Sequence, residues 1–141
     1  MSKFQKGQSI VEFAVVLPLF FLLLWGFVYF GMFFSDYLML NNMARSSARE
    51  ASLQESVSDI AAKYTKECKK NQITKLYQLK EFYIGEDPDD HSNVYVRITE
   101  SMNTGDSNAN ILNRTFQGFL GDSALQSFQI EYRMYWEAKK S

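Results

Sequence analysis

The stretch Lys6–Phe34, KGQSIVEFAVVLPLFFLLLWGFVYFGMFF, decides how the rest of the chain is arranged. It contains most of an uncharged run of about 23 residues, Phe13–Ser35. A helix that crosses a hydrocarbon core of about 30 Å needs roughly 20 predominantly apolar residues, since each adds about 1.5 Å. The run therefore predicts one membrane-spanning helix.

The flanks of this run predict its fate and its direction. The run exceeds the roughly 7–15 apolar residues of a secretory signal peptide, and no small-x-small cleavage site follows at a suitable distance. We therefore expect the helix to be retained. Lys3 and Lys6 precede it, and Asp36 is the first charge beyond it. The positive-inside rule then places the N-terminus in the cytoplasm and the C-terminal domain outside.

A short motif joins the basic leader to the span. Gly7 is followed by Gln8, and Glu12 is the fifth residue after that glycine, with Phe13 next. A carboxylate at the edge of a membrane helix is costly without a partner, so Glu12 marks a functional residue. With Pro18 and a glycine-interrupted aromatic end to the span, the pattern resembles the TadE-like pseudopilins (minor pilins) of the tight-adherence, or Flp-type, type IV pilus system. The resemblance covers roughly residues 6–50.

The resemblance implies a processed assembly subunit in a bacterial cytoplasmic (inner) membrane, with incorporation into the pilus as the alternative location. A prepilin peptidase would cut between Gly7 and Gln8, with Lys3 and Lys6 as leader charges. The mature protein would support pilus assembly, adhesion and surface colonisation. Its expected partners are the peptidase, other pilins or pseudopilins of the system, the inner-membrane assembly platform and the lipid bilayer.

Within this resemblance, Glu12 and Phe13 form the expected assembly and register element. Cleavage would expose an α-ammonium on Gln8, and Glu12 lies about one helical turn further on. In a staggered bundle, the carboxylate of one subunit would pair with the ammonium of its neighbour, and a wrong stagger would leave both charges unpaired. Alternatively, Glu12 reaches the interface or favours the helix N-terminus through the helix dipole. Pro18 predicts a kink, because proline removes a backbone hydrogen bond.

Beyond the span, the sequence predicts a helical stem and then a second helix. A face of small residues, Ala44, Ser47, Ala48 and Ala51, favours helix packing. Two candidate capping boxes, Ser52–Glu55 and Ser56–Asp59, suggest that a second, amphipathic helix begins near Ser52 and ends near Asn71. The expected segments are a leader at 1–7, a helix with stem at 8–51 and an extracytoplasmic domain at 52–141.

The C-terminal part changes to a strand pattern. Apolar and aromatic residues favour strands at Leu76–Ile84, Asn93–Thr99 and Leu125–Trp136. A polar loop would join the first two as a hairpin, residues 101–110 would form a loop, and Ile111–Leu120 is either a short helix or a bend. The predicted fold is α+β: a long transmembrane helix, a second amphipathic helix and a pilin-like antiparallel sheet of about three strands.

Composition and motif content argue against several classes of function. The chain carries 15 basic and 16 acidic residues, which indicates no nucleic-acid partner. Cys68 is the single cysteine, so no internal disulfide and no cysteine-rich zinc site are expected. No phosphate loop or nucleophile motif occurs, so we expect neither an enzyme nor a cofactor. Asp87, Asp89 and Asp90 leave calcium binding open, although a solvated turn explains them. The alternative function is an uncleaved single-pass anchor that presents a small binding module.

Overall fold

The computed structural model describes residues 3–54, 56–123 and 125–140, with side chains from Gly7 to Lys139 within those ranges. Along them run α1 (Lys3–Ser52), α2 (Ser58–Asn71), β1 (Tyr77–Glu86), β2 (Asn93–Met102), α3 (Ser107–Leu120), β3 (Ser127–Tyr135) and a 3-10 turn at Ala138–Lys140. The predicted α+β fold is confirmed.

The chain divides into two compact units, the first ending at Met32 and the second beginning at Phe33. The first consists of the N-terminal part of α1. The second contains the rest of α1 together with α2, α3 and the sheet. Residues 33–52, expected to form a stem, therefore pack within the C-terminal unit. The predicted segments 1–7, 8–51 and 52–141 stay a prediction.

The sheet of the second unit is antiparallel throughout, in the order β1-β2-β3. Its central strand buries Val94, Val96 and Ile98 on one face, as their alternation predicts. In β3, Ile130 is buried and its alternate neighbours Phe128, Tyr132 and Met134 pack against the same core. The predicted half-buried strands are therefore confirmed.

The α1 residues beyond Met32 supply part of the helical side of this core, and α2 supplies the rest. Ala44, Ser47, Ala48 and Ala51 are all fully or almost fully buried, and the three alanines belong to the cluster that contains the sheet residues. Small side chains let a helix backbone approach its neighbours closely, which explains this face. The predicted packing role of these residues is confirmed.

The start of α2 differs from the prediction. α1 continues to Ser52, whose hydroxyl donates to the Arg49 carbonyl at 2.8 Å instead of capping a new helix. The helix begins at Ser58 after Val57, and no side chain caps it. The expected box at Ser56 is therefore wrong. Glu55, the partner in the other expected box, lies outside the described residues.

A third helix occupies part of the predicted loop. Asp106 accepts hydrogen bonds from the backbone N–H groups of Asn108 and Ala109, each at 3.1 Å, so α3 begins within the turn-forming residues. It ends before Gly121, whose φ of 104° suits glycine. The loop expected over 101–110 is therefore wrong in its first two residues, which belong to β2, and from Ser107 onward, whereas the helical alternative for Ile111–Leu120 is confirmed.

The strand boundaries also differ from the predicted ones. β1 and β2 extend two and three residues beyond their expected ends, to Glu86 and Met102, and form the predicted hairpin. β3 begins at Ser127 and not at the expected Leu125. Leu125 has a φ of 56°, which is incompatible with strand geometry and uncommon outside glycine.

Candidate functional site

The first unit presents an almost continuous apolar surface. The helix from Gly7 to Ser52 contains an 18-residue window with a mean hydropathy of 2.4, of which 6% is buried. A core helix of a soluble protein can match this length and composition, but it is mostly covered by the rest of the protein. The exposed apolar helix fits a single-pass membrane anchor.

The expected cleavage motif lies at the start of this helix. Gly7, Gln8 and Ser9 are helical and exposed. A Cβ atom placed on Gly7 would meet no atom within 4 Å, so the absence of a side chain there has no packing reason in the described structure. Lys3 and Lys6 are helical in their backbone, and their side chains lie outside the described residues.

The structure brings Glu12 next to Gln8. The Gln8 side-chain amide donates to Glu12 Oε1 at 3.3 Å across one helical turn, and both side chains are exposed. Phe13, the other assembly residue, is also exposed. The residue that would become the N-terminus after cleavage therefore lies one turn from the carboxylate.

Pro18 lies inside α1, and the helix continues on both sides of it. The two neighbouring sequence positions, Leu17 and Leu19, are exposed. Membrane helices tolerate an internal proline. The expected kink stays a prediction.

Sequence reasoning used Asp36 only as the first charge beyond the span, but the structure gives it a structural role. Its carboxylate is buried and accepts the backbone N–H of Ile73 at 2.9 Å and that of Thr74 at 3.1 Å, both at Oδ1. The Thr74 hydroxyl donates to its other oxygen. Asp36 therefore ties α1 to the connection between α2 and β1. The sequence feature that could have identified Asp36 is a single acidic residue directly after an apolar run.

A second buried carboxyl group lies on the central strand. Glu100 is buried and accepts a hydrogen bond from Gln72 Nε2 at 3.3 Å, while that same nitrogen donates to the Tyr77 carbonyl at 2.6 Å. Burial, and then the negative charge of Asp36, raises the pKa of Glu100 to about 7. The alternation of β2 places Glu100 on the core face, but no sequence signal identified it.

Cys68 packs in the same part of the core. Its thiol is buried and donates to the Met43 sulfur at 3.2 Å. Burial, and then the charges of Glu100 and Glu67, raises the pKa of Cys68 to about 12. A thiol this hard to ionise is a poor nucleophile, because the thiolate is the reactive form.

The acidic side chains of the loop between β1 and β2 bond to other residues of the chain. Asp87 is buried and accepts from Arg133 Nε at 2.7 Å, whereas Asp90 accepts from the backbone of Ser92 at 3.0 Å. His91 is an exposed loop residue whose Nδ1 lies 3.3 Å from Glu86 Oε2. Among the side chains that the structure describes, no group of three or more His, Cys, Asp or Glu residues could hold a metal ion.

The fold and the exposed helix together fit one class of protein: a single-pass membrane anchor that carries a small α+β unit. The family model described as TadE-like protein matches residues 7–49. No curated protein and no solved structure was found to match the chain. The resemblance to TadE-like proteins is thereby confirmed over those residues, which include Gly7, Gln8, Glu12, Phe13 and Pro18.

The family match bears on the system in which the protein functions. It indicates a Tad pilus-related protein, and it implies association with other components of a pilus system. The matched residues end at position 49, close to the end of α1 at Ser52. The α2–β3 region lies outside the match.

Proposed function

We propose that this protein is a minor pseudopilin of a tight-adherence (Flp-type) pilus. A prepilin peptidase removes residues 1–7, and the mature chain takes part in pilus assembly and so supports adhesion and surface colonisation. The observation that carries the proposal is the family match over Gly7–Arg49, which begins at the glycine of the expected cleavage motif. The inner membrane, with the N-terminus in the cytoplasm, is the proposed location.

The environment of Glu12 supports its proposed role as a register residue. In this chain its described partner is the neutral Gln8 amide, which does not balance the carboxylate charge. Cleavage creates a cation on Gln8 itself. Pairing that ammonium with Glu12 of an adjacent subunit offsets the cost of placing both charges near lipid, and it does so only at one stagger.

The second unit supports a minor or initiating role instead of that of a shaft subunit. It has its own apolar core, formed by α1, α2 and the sheet, as Leu40, Ile60 and Val96 illustrate. A major Flp pilin resembles little more than the N-terminal helix. An additional folded unit of this size suits a subunit present in few copies, with a second pseudopilin as the natural partner.

We propose further that the protein acts without catalysis. The described polar clusters around Asp36 and Glu100 are buried within the second unit and hold its backbone and side chains. They therefore offer no reacting group to a substrate. The role is structural, and no cofactor is part of the proposal.

Intact-mass measurement tests the processing step. The full chain is produced with an active prepilin peptidase and with an inactive one, and we expect the mass of residues 8–141 only with the active enzyme. Gly7→Leu should block cleavage, because a large side chain then occupies the cleavage position. Gly26→Leu is the matched control, since a Cβ at either glycine meets no atom within 4 Å.

The outcomes separate the proposed function from the uncleaved anchor. A chain that keeps residues 1–7 in the presence of active peptidase contradicts the pseudopilin and favours the anchor with a binding module. Equal cleavage of the Gly7→Leu and Gly26→Leu variants would contradict Gly7 as the cleavage position.

A further inference from the structure

The connection between α2 and β1 presents an apolar side chain to the outside of the second unit. Ile73 is 67% exposed, although it belongs to the connection that Asp36 holds through the backbone of Ile73 and Thr74. Two hydrogen bonds to the Asp36 carboxylate fix this backbone close to α1. The exposed position of Ile73 is therefore built into the fold.

The place of Asp36 in the chain sets the level of this connection relative to a membrane. Asp36 directly follows the uncharged run Phe13–Ser35. A helical run of about 23 residues spans roughly 34 Å, slightly more than a hydrocarbon core of about 30 Å. In the proposed membrane anchor, the Asp36 carboxylate and the Ile73 backbone bonded to it would therefore lie at the level of the lipid headgroups.

Lysines surround the exposed isoleucine in the sequence. Lys69 and Lys70 are exposed in the last turn of α2, and Lys75 is exposed just before β1, with its Nζ 3.5 Å from Asp106 Oδ2. Lysine side chains lay their apolar stems along a membrane surface and direct the ammonium group to phosphates. Each basic residue near an anionic surface strengthens the contact.

We infer that the segment Lys69–Lys75 is a lipid-binding loop: Ile73 enters the bilayer interface and the three lysines contact anionic phospholipid headgroups. The loop continues the contact that α1 already makes with the membrane, and its positive charge complements the headgroups. It holds the second unit against the bilayer. The inference rests on α1 as a membrane anchor and does not depend on cleavage after Gly7.

Depth-dependent fluorescence quenching in vesicles tests this contact with the full chain. An environment-sensitive probe is attached at Ile73→Cys or, as a matched control, at Leu53→Cys, which is 61% exposed just beyond the end of α1. Cys68 is buried with a raised pKa, so it stays unlabelled, and the unsubstituted chain checks this. Vesicles contain phosphatidylcholine with or without phosphatidylglycerol.

We expect the probe at position 73 to be quenched by brominated lipid and shielded severalfold from aqueous iodide, whereas the probe at position 53 shows the reverse. Removing phosphatidylglycerol, or combining Lys69→Glu, Lys70→Glu and Lys75→Glu, should weaken quenching by brominated lipid at position 73. Circular dichroism checks that the variants remain folded.

Three results would overturn the inference. Equal iodide quenching at positions 73 and 53 would show that the loop stays in water. Shielding at position 73 that appears only when other pilus proteins are added would assign the loop to a protein partner. Quenching by brominated lipid that is unchanged by phosphatidylglycerol and by the glutamate substitutions would remove the lysines from the contact.

Discussion

Val15 and Val96 are the same side chain in two different settings. Val15 belongs to the first unit and is 68% exposed, whereas Val96 lies on the central strand of the second unit and is fully buried. Most apolar side chains of the first unit are exposed and available to contact lipid or another helix, whereas those around Val96 form a core that excludes water. The same composition thus serves insertion in one unit and folding in the other.

Carboxylates in the two units follow the same division. Glu12 is exposed, and its described partner is one neutral amide. Asp36 is buried and accepts two backbone N–H groups and a hydroxyl. A fully bonded carboxylate is a structural group, while one exposed on a membrane helix is available to a partner. Under the proposed function, assembly therefore depends on the first unit, while the buried Asp36 stabilises the second.

The largest expected effect comes from removing the carboxylate of Asp36. Asp36→Ala should lower the free energy of unfolding of the second unit by about 3 kcal/mol, because the Ile73 and Thr74 donors lose their acceptor. Denaturant unfolding in detergent, followed by Trp136 fluorescence in a Trp25→Phe background, measures it. Asp59→Ala, at an exposed position of α2, is the control and should change little. Equal effects would contradict the role of Asp36.

The two valines test the comparison directly. Val96→Ala should lower the same unfolding free energy by about 2 kcal/mol, because it leaves a cavity in the core. Val15→Ala removes the same atoms from an exposed position and should leave the unfolding of the second unit unchanged within about 0.5 kcal/mol. A loss for Val15→Ala as large as that for Val96→Ala would show that the two units unfold together.

Glu100 predicts a pH dependence of the stability of the second unit. The folded unit holds the Glu100 proton up to a pKa of about 7, against 4.5 for an ordinary glutamate, so the folded state binds more protons between these values. Its contribution to stability is therefore present below about pH 4.5 and is lost as the pH rises through 7.

Relative to Glu100→Gln, the native second unit should lose about 2 kcal/mol over this pH window, since each unit of pKa shift corresponds to about 1.4 kcal/mol and solvent access reduces the full value. Unfolding curves at pH 4.5, 6 and 7.5 measure the difference between the two proteins. A constant difference across this range would show that Glu100 does not titrate there.

The parts of the fold with a strong local pattern were predictable. The uncharged run predicts a helix long enough to span a membrane. The alternation of Val94, Val96 and Ile98 and the small residues around Ala48 predict which face of the strand and of the helix is buried. Helix α3 was predicted only as one of two alternatives for Ile111–Leu120, and its start at Ser107 was not predicted, because its first turn is formed by turn-favouring residues and depends on the Asp106 cap. The predicted start of α2 near Ser52 was wrong, because Ser52 is the last residue of α1 and its hydroxyl donates to the Arg49 carbonyl.

The residues of the candidate site also fall into those that the sequence could identify and those that it could not. Gly7 and Glu12 were identified from spacing and resemblance, since their proposed roles depend on their place in the chain. Asp36 and Glu100 act through contacts made by residues 37 and 28 positions away, Ile73 and Gln72 respectively. Such long-range contacts leave no spacing signal in a single sequence.

Piliation of a Glu12→Ala strain tests the central claim most directly. With processing checked by intact mass, we expect the variant to be cleaved after Gly7 and to reach the membrane, but to assemble pili at a small fraction of the normal level, because the new ammonium on Gln8 has no carboxylate partner. Glu137→Ala, at an exposed position near the C-terminus, is the control and should assemble normally. Normal piliation by the processed Glu12→Ala protein would contradict the register role of Glu12.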